Sequence, residues 1–442
     1  MHSKPSNKEK ALAFALGITA GIAILVLLAV LILQIPAVNE RYGWRVDFAM
    51  TYLRALVDPV KPLPTVDITQ VAAVESTPDP GLAEVVPAMR TNTPVPTASA
   101  TATERPEASP TVTPTPAPTF TPTPLPDRVE LDPPAYEEQE VNNCGPATLA
   151  MHLRYYGWQG DQGTIASLIK PLREDRNVNV EELVSYVNTE TPYYEIQYRV
   201  GGDIEMLKRL LAAGFPVTVE TGFIMEESYW LNDDRWAGHY LLLTGYDEPS
   251  QSFIVQDVFV GPNLRVPYDE LDKYWKAFNR VYILLYPPES RPVVQSILGD
   301  QWDMDANRQH AVEVSQAETE ADPEDAFAWF NLGTNLIYFE KYSQAAIAYD
   351  HARNAGLPQR MLRYQFGPFF AYFHTGRIDD LLELTEYALK RTPNSEEAKL
   401  WRGWAMYRKA NKEEALKLFN EALEARPGYT DAQYAINFVL SN

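Results

Sequence analysis

Residues 11–35, ALAFALGITAGIAILVLLAVLILQI, carry no charge. As a helix, this run rises about 37 Å, enough to cross a hydrocarbon core of about 30 Å with some tilt. A secretory signal has a shorter apolar region and a small-x-small cleavage site, and the following QIPAVNERYGW offers none. The run therefore predicts a single, uncleaved transmembrane helix. Lys4, Lys8 and Lys10 precede it, against Arg41 and Arg45 after it. That excess puts residues 1–10 on the cytoplasmic side.

Within 36–59, Val46, Met50, Leu53 and Val57 recur at helical spacing and Pro59 ends the pattern. This predicts a juxtamembrane helix lying at the bilayer surface, with a dimerising helix as the alternative. From 60 to 126 the periodicity is lost. Residues 91–126 hold 11 Thr and 10 Pro, and proline fixes φ and removes donors, so neither helix nor sheet is expected. The stretch predicts a disordered Pro/Thr-rich linker, whose last 36 residues reach roughly 110 Å when extended. Such stalks join membranes to exported domains, which favours extracytoplasmic domains after it over a cytoplasmic linker.

The 442-residue chain has a formal charge of −21 and one cysteine, Cys144. The acidity argues against a nucleic-acid partner, which needs a basic face. One cysteine excludes an intrachain disulfide, and no metal-ligating residues lie at a usable spacing from it. No metal or organic cofactor is implied. Cys144 is then either a bland buried thiol or a nucleophile. It opens CGPATLAMHLRYYG, where Gly145 and Pro146 suit a first helical turn, Leu149, Leu153 and Tyr156 form an apolar face, and Gly157 is a stop. A helix N-terminus favours a thiolate.

Order is expected over 127–288. YYEIQYRV (193–200), PVTVET (216–221) and RVYILLYP (280–287) read as strands, and DIEMLKRLLAAG (203–214) and PYDELDKYWKAF (267–278) as helices. GHYLLLTGYD (238–247) and SFIVQDVF (252–259) flank the turn EPSQ and read as a hairpin. A helix bearing the thiol on an antiparallel sheet is an α+β arrangement. A cysteine nucleophile needs a base, and the base an orienting group. His152 lies on the same helix, about 12 Å along its rise. His2 precedes the span, and His310, His351 and His374 fall in a later helical region. His239 is left as the local base. Asp257 closes the partner strand of the hairpin and is the favoured orienter; Asp247, at the turn, is the competitor. Gln139, in EEQEVNNCG, is either an ordinary exposed glutamine or a donor to an oxyanion hole shared with the Cys144 N–H.

QEVNNCGPATLAMHLRYYG, followed by GHYLLLTGYD and VQDVFVG, resembles the papain-like cysteine peptidases of family C-39, the double-glycine leader peptidase type, and their stand-alone bacterial relatives. The resemblance covers roughly 128–288. It implies a papain-like fold with Cys144 as nucleophile, His239 as base, Asp257 as orienter and Gln139 as oxyanion donor. The best-known members are fused to an exporter; this chain has no P-loop motif, so a leader-peptide substrate does not transfer with the fold.

After a polar connector, 289–321, residues 322–442 turn all-helical. Gly333 and Gly403, Ala345 and Ala415, Tyr349 and Phe419, and Ala352 and Ala422 are each 70 apart, and Ala388 falls between the last two. A period near 35 resembles tetratricopeptide repeats, an all-α domain with a surface for a protein partner. The whole reads as a membrane-anchored, extracytoplasmic cysteine peptidase acting on a peptide or protein, with a repeat docking domain. A catalytically inactive scaffold at the cell surface is the rival, and acyl transfer a third use of the same residues.

Overall fold

The computed structural model describes residues 52–54, 56–66, 124–170, 172, 177–228 and 230–441, with scattered positions between 17 and 50. Among the described residues no helix is long and apolar enough to cross a membrane. Most of 11–35, the expected transmembrane helix, lies outside the described residues, as do residues 67–123 of the expected linker. Two compact units are distinguished: residues 1–61 with 225–235, and residues 62–224 with 236–442. In the first, the described positions between 45 and 57 are helical. Val46, Met50, Leu53 and Val57 are exposed there, and Val60 is buried with Trp230.

The second unit holds the sheet. Among the described residues it has seven strands: β1 (Arg128–Glu130), β2 (Glu195–Arg199), β3 (Val217–Ile224), β4 (Trp236–Asp247), β5 (Ser252–Asp257), β6 (Gly261–Pro267) and β7 (Tyr282–Tyr286). Their order is β2-β7-β3-β4-β5-β6, with β1 also paired to β4, and every pairing is antiparallel. Strand alternation divides the sheet between two cores. Tyr282, Leu284 and Tyr286 face α4 (Ile204–Ala212), α5 (Tyr268–Trp275) and α6 (Arg291–Leu298). Ile283 and Leu285 face the other way, into a core with α1 (Cys144–Tyr155), α2 (Gln162–Ile169) and α3 (Val180–Glu190). Helix starts follow their caps: Asp161 accepts from the Thr164 N–H and Asp203 from the Met206 N–H. The expected connector 289–321 is mostly helical, made of α6 and α7 (Met304–Ala321). Its polar residues are used inward: Asn307 is fully buried and pairs its amide with both the N–H and the carbonyl of Val200.

Three antiparallel pairs follow: α8 (Ala326–Tyr338) with α9 (Tyr342–Ala355), α10 (Gly367–His374) with α11 (Ile378–Arg391), and α12 (Glu396–Arg408) with α13 (Lys412–Ala425), closed by α14 (Thr430–Ser441). Each pair turns through a left-handed residue, Glu340, Gly376 and Ala410. The next N–H in each turn reaches back to a carbonyl of the first helix, Leu336, Tyr372 and Met406 respectively. Gly333 lies against Tyr349 and Gly403 against Phe419, so close that a Cβ would collide with either ring.

The expected linker begins later than residue 60. Leu63 is buried in the core that runs into the helical array, and Pro64 and Val66 are hydrogen-bonded to α9. Residues 62–66 have an apolar anchor, Leu63, that the count of prolines concealed.

Candidate active site

Cys144 is the first residue of α1. The chain reaches it through Asn142 in the left-handed region (φ 57°), a turn held by side chains from α2. The Gln162 amide oxygen accepts from the Glu140 N–H and from Asn143 Nδ2, both at 2.7 Å. Lys170 Nζ donates to the Asn142 carbonyl at 2.7 Å. Arg363, from the turn between α9 and α10, donates to Asn142 Oδ1 at 3.2 Å. The helical array thus touches the loop that presents the thiol.

The β4–β5 hairpin supplies the other two groups. His239 Nε2 lies 2.7 Å from Asp257 Oδ1, and both residues are buried. The same carboxylate oxygen accepts from the Phe259 and Val260 N–H groups, at 2.8 and 3.1 Å. Asp257 is therefore fixed from two sides. The imidazole lies beside the Cys144 side chain, near enough for each to shift the other's titration; with Nε2 engaged, Nδ1 is the nitrogen left for the thiol. The rings of Phe223 and Phe259 flank it, with centroids at 5.4 and 6.4 Å.

The electrostatics favour a charge-separated pair. Burial opposes charge on Cys144, but the His239 hydrogen bond and charge, the Tyr240 N–H and the Lys170 cation together hold its pKa below that of an ordinary thiol. Burial likewise opposes the imidazolium of His239, yet its bonds to Asp257 and Cys144 raise its pKa to about 9. Burial acts against the Asp257 carboxylate too, and the His239 partner outweighs it, lowering its pKa. Glu220 would oppose a thiolate if ionised. Burial pushes its pKa well above the carboxylate range. The neighbouring Tyr240 hydroxyl donates to the Val178 carbonyl at 2.9 Å.

Gln139 sits beside this set. Its N–H donates to the Val258 carbonyl at 2.8 Å, and the Val258 side chain packs with Ala147, Met151 and Cys144. The Gln139 amide oxygen is buried without a donor. The structure thus brings Cys144, His239 and Asp257 together, with Gln139 alongside. Asp247 is elsewhere, paired with Arg128 and Arg265 at the far end of β4. His152 is fully buried, with Nδ1 2.9 Å from Thr218 Oγ1. Lys170, Gln162 and Glu220 were not singled out in the sequence. Only folding places them near Cys144, and no motif marks them. Among the described residues no cluster could hold a metal ion.

A family model described as peptidase C39-like matches residues 131–283. No curated protein matches the chain. Among solved structures, the chain is similar to a protein described as a C39-like peptidase from Bacillus anthracis, at 20% identity over 36% of this chain and 96% of that one (TM-score 0.28). It is similar to the peptidase domain of Streptococcus ComA, a bifunctional ABC transporter, at 16% identity over 35% and 99% (TM-score 0.27). It is also similar to xylellain, a cysteine protease from Xylella fastidiosa, at 16% identity over 37% and 87% (TM-score 0.29). Over residues 131–283 this chain carries a domain of the peptidase C39-like family.

Proposed function

We propose that the protein is a membrane-anchored, extracytoplasmic cysteine peptidase whose helical array is a tetratricopeptide docking domain for a protein partner. The Cys144–His239–Asp257 relay, set at a helix N-terminus, carries the catalytic part. The uncharged run 11–35 and the Thr/Pro stretch support the anchor and the location. The matching left-handed turns at Glu340, Gly376 and Ala410 support the repeats.

The Cys144 thiolate attacks the carbonyl carbon of a peptide bond. A C–S bond forms and the carbonyl electron pair moves to oxygen. That oxyanion takes hydrogen bonds from the Cys144 N–H and the Gln139 amide. As the tetrahedral adduct collapses, the C–N bond breaks and the leaving amine takes its proton from His239. Water then loses a proton to neutral His239, attacks the thioester and frees the acid and the thiolate. Asp257 holds the imidazole and stabilises its protonated form throughout.

The test is iodoacetamide alkylation of the full chain against pH, in wild type and His239→Ala. With a single thiol, every alkylation event reports Cys144. Rapid alkylation persisting below about pH 8, shifted upward in the variant, is the expected result. An ordinary thiol profile, identical in both proteins, would sink the proposal.

A further inference from the structure

Pro62–Val66, the sequence PLPTV, lies along the C-terminal end of α9 and is recognised chiefly through its main chain. Asn354 Oδ1 accepts from the Val66 N–H and Asn354 Nδ2 donates to the Val66 carbonyl, both at 2.8 Å. Arg353 Nε donates to the Pro64 carbonyl at 2.8 Å. The Leu63 side chain is buried and Thr65 points to solvent. Arg353 is held in advance: its Nη1 donates to the Tyr372 hydroxyl at 3.1 Å and its Nη2 to Glu383 at 3.2 Å. This is how an extended peptide is read, with an amide standing in for a neighbouring strand and one apolar side chain in a pocket. The ligand is prearranged as well, because Pro62 and Pro64 fix φ and carry no N–H to leave unpaired.

We propose that this end of the helical array is a peptide-binding site for an extended, proline-containing segment, and that its resident ligand is residues 62–66 of the same chain. The contact is small and its amide partner, Asn354, is exposed, unlike the fully buried Asn307, which grips Val200 in the same way. The Asn307 contact is a fixed part of the fold; the Asn354 contact is releasable. A ligand tethered in cis has an effective concentration of about millimolar, so a site of modest affinity stays filled until the strap is pulled away or outcompeted. The inference does not rest on peptidase activity, and Cys144 alkylation tests that reading separately.

The test uses the full chain. Hydrogen exchange read by mass spectrometry should show the Val66 amide protected at least ~10-fold in wild type relative to Asn354→Ala. A fluorescent peptide with the sequence of residues 61–67, KPLPTVD, should bind full-length Leu63→Asp saturably. It should bind neither wild type, whose site is filled, nor the Leu63→Asp/Asn354→Ala double variant. Val66 exchanging in wild type at the rate of the variant would overturn the proposal. Protection at Val66 with no peptide bound by Leu63→Asp would overturn it too, leaving a fixed structural contact. Binding indifferent to Asn354 would mark the peptide as adhering elsewhere and count against the site.

Discussion

At Cys144 two opposing effects are set against each other. Desolvation alone would keep this half-buried thiol protonated; the imidazolium, the Tyr240 N–H and Lys170 reverse that. The sign for the pair follows. The proposed peptide hydrolysis needs the thiolate together with protonated His239, so its rate should rise through a cysteine pKa below the ordinary one and fall as His239 loses its proton near pH 9. Asp257→Asn removes the charge that supports the imidazolium. The descending limb of kcat/KM should move down by roughly one to three pH units, read from a pH–rate profile on a peptide substrate. Gln139→Ala should lower kcat by roughly 10²–10³-fold with little change in KM, if its amide meets the oxyanion only in the transition state. That Cys144, His239 and Asp257 would meet was legible because the expected chemistry admits few residue types and the chain offers few candidates. Lys170 and Gln162 were not. A lysine and a glutamine have many ordinary uses, and theirs depends on α2 folding back across the loop before Cys144.

Among the elements, α1 has two chemically different halves. Its N-terminus carries the thiol, and its last turn buries His152, where desolvation depresses the pKa to about 3. In the unfolded chain the same imidazole titrates near 6.5. The folded, neutral form is therefore stable above that pH, and the contribution is lost as pH falls from about 6.5 towards 3. At pH 5 the loss is roughly 2 kcal/mol. His152→Gln should flatten the decline, and thermal melts of both proteins at pH 7 and pH 5 would show it. Strands with apolar alternation and helices with clear stops were legible at this scale. β6 was missed because it is an edge strand, with residues mostly exposed or half-buried. The helix α7 was missed because its buried positions include Asn307, Arg308, Ser315 and Thr319; a core satisfied by hydrogen bonds has no hydrophobic period to read.

For the molecule, the least legible feature is how the helical array meets the peptidase domain. Trp236 stacks on Phe278 at 5.7 Å and meets Phe327 and Tyr364. Asn279 and Asn335 pair amide to amide. Arg360 donates to the Trp236 carbonyl at 2.7 Å. Each residue looks ordinary in its own segment, and only the joining gives it a partner. The strap at residues 62–66 also ties distant parts of the sequence together. With Val66 held on α9 and the Pro126 carbonyl held by Tyr246, the chain is fastened to one body on both sides of residues 67–123. A protease that cuts between these two fastenings breaks the chain without at once parting the pieces. They should co-elute in gel filtration after cleavage and separate faster in Asn354→Ala. Separation of the two pieces would then be timed by how long the strap stays docked after the cut.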